Sequence, residues 1–163
     1  MITIIRFTTL MLVALGLVPG AAHLMEMPVK MSYTPELYAV VTSTLYALFG
    51  SVGAGIQIGA LLSATLVSYL SRKLARSRLV LFGALSLGMS LALWGAVVAP
   101  VNAEWAHVTQ TASEPLANAY SRLRARWEYG HAIAFLAWLS GYCFLQISVL
   151  SELAAKQSRK NAD

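Results

Sequence analysis

The sequence predicts an all-α protein, a single four-helix transmembrane bundle, and three observations carry that expectation. Of 163 residues, 58% are hydrophobic and only 12% charged, about half the charged share of a soluble domain. Mean hydropathy is +0.64. The apolar residues gather in four segments, each of the roughly 20 residues or more that cross a bilayer. The expected spans are 2–27, 37–71, 79–99 and 127–152, within one integral membrane domain covering 1–163.

The net charge of +5 is no nucleic-acid footprint, because the basic residues sit at span ends, where membrane topology accounts for them. Cys143 is alone and lies in an apolar run, which excludes an intrachain disulfide and dithiol redox chemistry. No motif points to haem, flavin or nucleotide.

Arg6 precedes the first apolar stretch, and Gly20-Ala21-Ala22 resembles a signal-peptide cleavage site. A cut there would leave His23 as an amino-terminal copper ligand. A single basic residue and continued apolar character through Leu24, Met25 and Met27 favour a retained span, bent near Pro19-Gly20 and ended by Pro28. The Met25, Met27 and Met31 thioethers would suit Cu(I), but alternate residues on a helix diverge, so core or lipid contact is expected of them.

Thr34-Pro35-Glu36 starts the second helix with a hydroxyl cap, a proline at the first helical position and an acid in the first turn. That helix is expected to run on to 71, with its first turns at or above the outer interface. Gly55-x-x-x-Gly59 permits close helix approach, including that of a partner protein. A basic turn at 72–78 leads to the third span, closed by Pro100. The longest loop is expected at 101–114, with Asn102, Glu104, Trp105, His107 and Gln110. Ser113-Glu114-Pro115 starts the last helix, which also outruns the bilayer.

The basic residues of 72–78 and of the tail outweigh Lys30, Arg122, Arg124 and Arg126 at the other end. The positive-inside rule then places both termini in the cytoplasm of a multi-pass inner-membrane protein. Glu26, Glu36, Glu104, Glu114 and Glu128, five of the seven acids, fall on the outer side with all three histidines. Any chemistry is expected at that end.

There His23-x-x-Glu26 and Glu128-x-x-His131 each place an imidazole and a carboxylate on one helical face. Bundles present metal ligands at this spacing, and two imidazoles with two carboxylates suit one divalent Fe, Mn or Zn ion. Glu36 and Glu104 are further carboxylate candidates. His23, Glu26, Glu128 and His131 are thus the expected catalytic and metal-binding residues, with Asn102, Arg126, Trp127 and Tyr38 orienting a substrate. Beside this stands a structural reading, in which Arg122, Arg124 and Arg126 neutralise Glu26 and Glu128 in a polar plug. His107 is expected to be solvated. Trp94, Trp105, Trp127 and Trp138 suit an interfacial belt, or the wall of a pocket for a flat aromatic ligand.

His23-Leu24-Met25-Glu26-Met27-Pro28-x-Lys30, Leu37-Tyr38, Leu45-Tyr46, Phe49-Gly50, Pro100-Val101-Asn102 and Arg126-Trp127-Glu128-Tyr129-Gly130-His131 resemble the anthrone-oxygenase-like family of small four-helix membrane proteins. The resemblance spans nearly the whole chain. It implies a four-helix membrane fold and, from members in fungal polyketide pathways, oxidation of an anthrone to an anthraquinone by dioxygen. It assigns no catalytic roles to these motifs. The functional expectation is a small oxidoreductase acting on a lipophilic molecule that enters from the bilayer. The alternative is a non-enzymatic accessory subunit whose polar cluster is a structural charge network.

Overall fold

The computed structural model describes residues 2–46, 49–74 and 76–161. Helix α1 (Ile2–Lys30) is followed by the short α2 (Pro35–Thr44), a π-helical turn (Phe49–Gly53) and α3 (Ala54–Ser71). Then come α4 (Ser77–Leu93), a second π-helical turn (Trp94–Val98), α5 (Ala99–Thr111) and α6 (Leu116–Lys160). Four stretches, Ile2–Lys30, Phe49–Ser71, Ser77–Thr111 and Leu116–Lys160, are long and apolar enough to cross a membrane. The chain is a multi-pass membrane protein.

The long helices form a ring: α1 packs on α3 and α6, and α4 packs on α3 and α6. The centre holds small residues with a few large ones, such as Val13, Ala60, Ala64, Leu87 and Trp138. The outer surface remains apolar, with Ile4, Leu62 and Leu150 turned outward, as a lipid-facing surface requires. At 45 residues, α6 is about 68 Å long at the usual helical rise, more than twice the hydrocarbon thickness of roughly 30 Å.

Several expected boundaries are corrected. Pro28 does not end the first helix; the turn closes three residues later, with Met31 N–H bonded to the Met27 carbonyl at 2.9 Å. Thr34 does cap α2, accepting from Leu37 N–H at 3.3 Å, but the helix does not run unbroken to 71. It stops at Thr44 and resumes through the first π turn. The expected loop at 101–114 is helical through Thr111. Its polar residues suggested a connector, but Val101, Trp105 and Val108 repeat at helical spacing and pack into an aromatic cluster.

Pro100 therefore sits at the start of a helix instead of closing one. A proline has no N–H and crowds the carbonyl four residues before it. The preceding turn widens accordingly, and Ala99 N–H reaches back five residues to the Trp94 carbonyl.

The expected close approach at Gly55 and Gly59 is absent among the described residues: a Cβ at either would meet none of their atoms within 4 Å. The intimate contact is between α4 and α6. A Cβ on Gly141 would lie 3.0 Å from the Gly83 carbonyl oxygen and 2.8 Å from Leu87. Gly141→Leu is accordingly expected to lower the thermal midpoint of the detergent-purified protein, at about 1–3 kcal/mol for overpacking. Gly55→Leu should leave the midpoint unchanged. Equal midpoints for both variants would contradict this packing.

Candidate functional site

His23, Glu26 and Lys30 fall on one face of α1, and Trp127, Glu128 and His131 on one face of α6, each set following the i, i+3, i+4, i+7 helical stripe. Packing of α1 against α6 brings the two faces together. The imidazole rings of His23 and His131 meet with centroids 4.2 Å apart, and the Trp127 ring lies 4.9 Å from one and 4.3 Å from the other.

Lys30 organises the space between. It is 1% exposed, and its Nζ lies 3.0 Å from Glu128 Oε2. The ammonium also stands over the faces of Trp127 and Tyr46, at 4.8 and 4.9 Å, where ring quadrupoles favour a cation. Its second polar neighbour is His23 Nδ1 at 3.4 Å. An ammonium can only donate, so His23 Nδ1 is the acceptor and its ring proton sits on Nε2. His131 has the opposite arrangement: its Nδ1 faces the Trp127 carbonyl at 2.9 Å and must donate to it. In the neutral ring that leaves Nε2 with a free lone pair.

The carboxylates are held by phenols. Tyr38 donates to Glu128 Oε1 at 3.1 Å, and Tyr46 donates to Glu26. Burial, and then the charge of Glu128, push the Tyr38 hydroxyl well above the usual phenol range. Burial, and then the bond to Glu26, do the same for Tyr46. Both therefore remain neutral donors.

Beside this cluster lies a cavity of about 670 Å³. Residues of both α2 and α5 line it, and so do both π turns, through Phe49 and Gly53 of the first and Trp94 and Gly95 of the second. Such turns recur at functional sites because they re-aim side chains that a regular helix would point elsewhere. All four tryptophans line the cavity, so they form part of a pocket wall. His23 and His131 are in that wall; Glu26, Glu128 and Lys30 stand behind it.

The other expected residues separate in the same way. Tyr38, Trp127 and Asn102 line the cavity, with Asn102 Oδ1 accepting from Trp127 Nε1 at 2.6 Å. Arg126 is exposed and outside the lining, as is His107. Glu36 is exposed, and Glu104 pairs with Arg122 at the α5–α6 corner. The expected arginine neutralisation of Glu26 and Glu128 is replaced by Lys30 and Tyr46. Arg122 serves Glu104 and Glu114 instead, and Arg124 donates to the Met31 carbonyl at 2.8 Å.

The four His and Glu side chains thus belong to one network, yet among the described residues no three His, Cys, Asp or Glu side chains gather as metal ligands. The geometry gives the reason. Lys30 supplies the counter-charge to Glu128, and Glu26 is turned to Tyr46. In this arrangement the carboxylates are engaged by Lys30, Tyr38 and Tyr46.

Lys30, Tyr46 and Trp105 were not singled out as site residues from the sequence. The signal for Lys30 was its position seven residues after His23 and four after Glu26, on the same stripe. Trp105 Nε1 is buried with no hydrogen-bond partner among the described residues, on a residue that lines the cavity. Comparison with protein families, curated proteins and solved structures gave no match, so the likeness to the anthrone-oxygenase-like family rests on the quoted motifs.

Removing one member of a buried ion pair strands the other charge, typically at about 3–5 kcal/mol. Lys30→Met is therefore expected to destabilise the detergent-purified protein by that order, and the double variant Lys30→Met/Glu128→Leu to recover much of the loss. Thermal unfolding of the two proteins checks this, and a Lys30→Met variant as stable as the parent would refute the pair's role.

Proposed function

We propose that the protein is a small inner-membrane oxidoreductase whose cavity takes a lipophilic aromatic molecule from the bilayer, with His131 as the proton acceptor. The observation that carries this reading is the composition of the cavity wall. Two imidazoles meet there with complementary free nitrogens, one carrying a proton and one a lone pair, among four tryptophan rings. Pockets for small molecules have this character, largely apolar with a few convergent polar groups. Both carboxylates lie behind the wall, where they fix Lys30 and the phenols and leave the histidines facing the ligand. The positive-inside rule places this end outside the cytoplasm and both termini within it.

The family resemblance supplies the reaction class. A methylene flanked by aromatic rings and a conjugated carbonyl has an acidic proton, which His131 Nε2 would take. Dioxygen would oxidise the resulting carbanion: the methylene becomes a carbonyl, one oxygen atom is retained, and the other leaves as water with the two hydrogens. The buried Trp105 Nε1 and the Asn102 amide are donors suited to the carbonyl oxygen of the bound molecule. A metal plays no part in this sequence.

Anthrone is the probe. It should quench the tryptophan fluorescence of the purified protein, since every tryptophan lines the cavity, and air oxidation to anthraquinone should exceed the protein-free rate. His131→Ala should slow turnover by about 100-fold or more, the usual scale for a lost general base, with quenching retained. Absence of quenching, or turnover indifferent to His131→Ala, would overturn the reading. Elemental analysis of the same preparation should find no stoichiometric iron, manganese or zinc; a full equivalent, lost in Glu128→Gln, would restore the metal-centred reading.

A second reading, an accessory subunit without catalysis, is favoured by one observation. Gly55 is exposed, and neither it nor Gly59 meets anything a Cβ would touch, which leaves a smooth helical face open to a partner helix. In that case anthrone is not turned over, and Gly55→Leu abolishes co-purification of the partner.

A further inference from the structure

At the opposite end of the bundle from the histidines a second cavity, of about 230 Å³, lies where α1 and α4 begin and α3 and α6 run out. Arg6, Arg76, Lys156 and Arg159 line it, against one carboxylate, Glu152. That carboxylate is shared: Arg6 donates to it at 2.6 Å and Lys156 at 3.1 Å. Arg76 and Arg159 have no acidic partner among the described residues. Three hydroxyls, of Ser71, Ser77 and Ser148, complete the polar lining. Ser71 already accepts from Arg6 at 3.2 Å. Ser148 is 4% exposed and bonds its hydroxyl to no described residue.

A half-open pocket with excess positive charge and a serine hydroxyl free to donate into it calls for an anion with several acceptor oxygens. We propose that this cavity binds the phosphate of an anionic phospholipid headgroup. A soluble phosphate shares the chemistry, but the setting favours the lipid. The pocket lies at the level where the helices leave the apolar zone, and the same helices carry outward-facing Ile4, Phe7, Leu150 and Leu153, against which acyl chains would lie. Basic pockets between transmembrane helices on the cytoplasmic side hold headgroups in this way. The site makes no use of the histidine cavity, so it stands or falls independently of the proposed reaction.

Native mass spectrometry of the full chain, released from micelles doped equally with phosphatidylglycerol and phosphatidylcholine, tests this. Phosphatidylglycerol should be retained preferentially. Arg76→Gln/Arg159→Gln should reduce that preference by about fivefold for each arginine removed. Neither arginine is in an ion pair among the described residues, so the fold has little reason to change. Glu152→Gln removes the cavity's negative charge and should raise retention, a gain that misfolding cannot imitate. Arg122→Gln, at the other end, should behave as the parent. Equal retention of the two lipids, or a double variant with the parent's preference, would overturn the proposal. So would millimolar inorganic phosphate raising the thermal midpoint of lipid-free protein that retains no phosphatidylglycerol, which would make the ligand a soluble phosphate.

Discussion

The buried pair of Lys30 and Glu128 is the constraint from which the rest of this end of the molecule follows. Two charges removed from water cost several kcal/mol each, and here that cost is offset by close geometry and extra partners. Lys30 has Glu128, His23 and two aromatic faces; Glu128 has Tyr38 as well. Because the pair joins α1 to α6 and Tyr38 ties in α2, sliding α1 by one turn would unpair it. The ion pair thus acts as a register mark for helices whose other contacts are non-directional apolar packing.

The same pair decides the character of the histidines. With Lys30 donating to His23 Nδ1 and the Trp127 carbonyl accepting from His131 Nδ1, the two rings meet the cavity as one donor and one acceptor. The carboxylates are occupied elsewhere. A cluster that reads in one dimension as a ligand set is, in three dimensions, a pair of imidazoles braced from behind by an ion pair and two phenols.

The cavity depends on a second device, the two π-helical turns. Regular helices in these places would continue the bundle's close packing, of the kind Gly83 and Gly141 allow farther along. Instead a widened turn precedes α3 and another follows α4, and residues of both turns line the cavity with the aromatic rings. Pro100 gives the second turn a local cause; no comparable proline accompanies the first, where Gly50 and Gly53 occur instead.

Much of this was legible in the chain. Apolar segment lengths showed the four membrane-crossing helices, the Thr34 cap was readable from its hydroxyl, and the equal spacing of His23/Glu26 and Glu128/His131 marked the faces that meet. Helix 101–111 was obscured because its polar residues outweighed a three-residue apolar stripe. Lys30 was obscured because a lysine near a span end is ordinarily a topology signal, and only burial distinguishes one that has turned inward.

What the sequence determined alone was therefore whatever depends on local periodicity and on transfer from water: the number of membrane-crossing stretches, apolar faces, and which residues share a stripe. Which stripe meets which, which cation neutralises Glu128, and whether the tryptophans face lipid or a cavity were decided only by tertiary structure. The physical reason is that hydrogen bonds and ion pairs act over about 3 Å, and that proximity is created between residues such as Lys30 and Glu128 by helix packing, not by their separation along the chain.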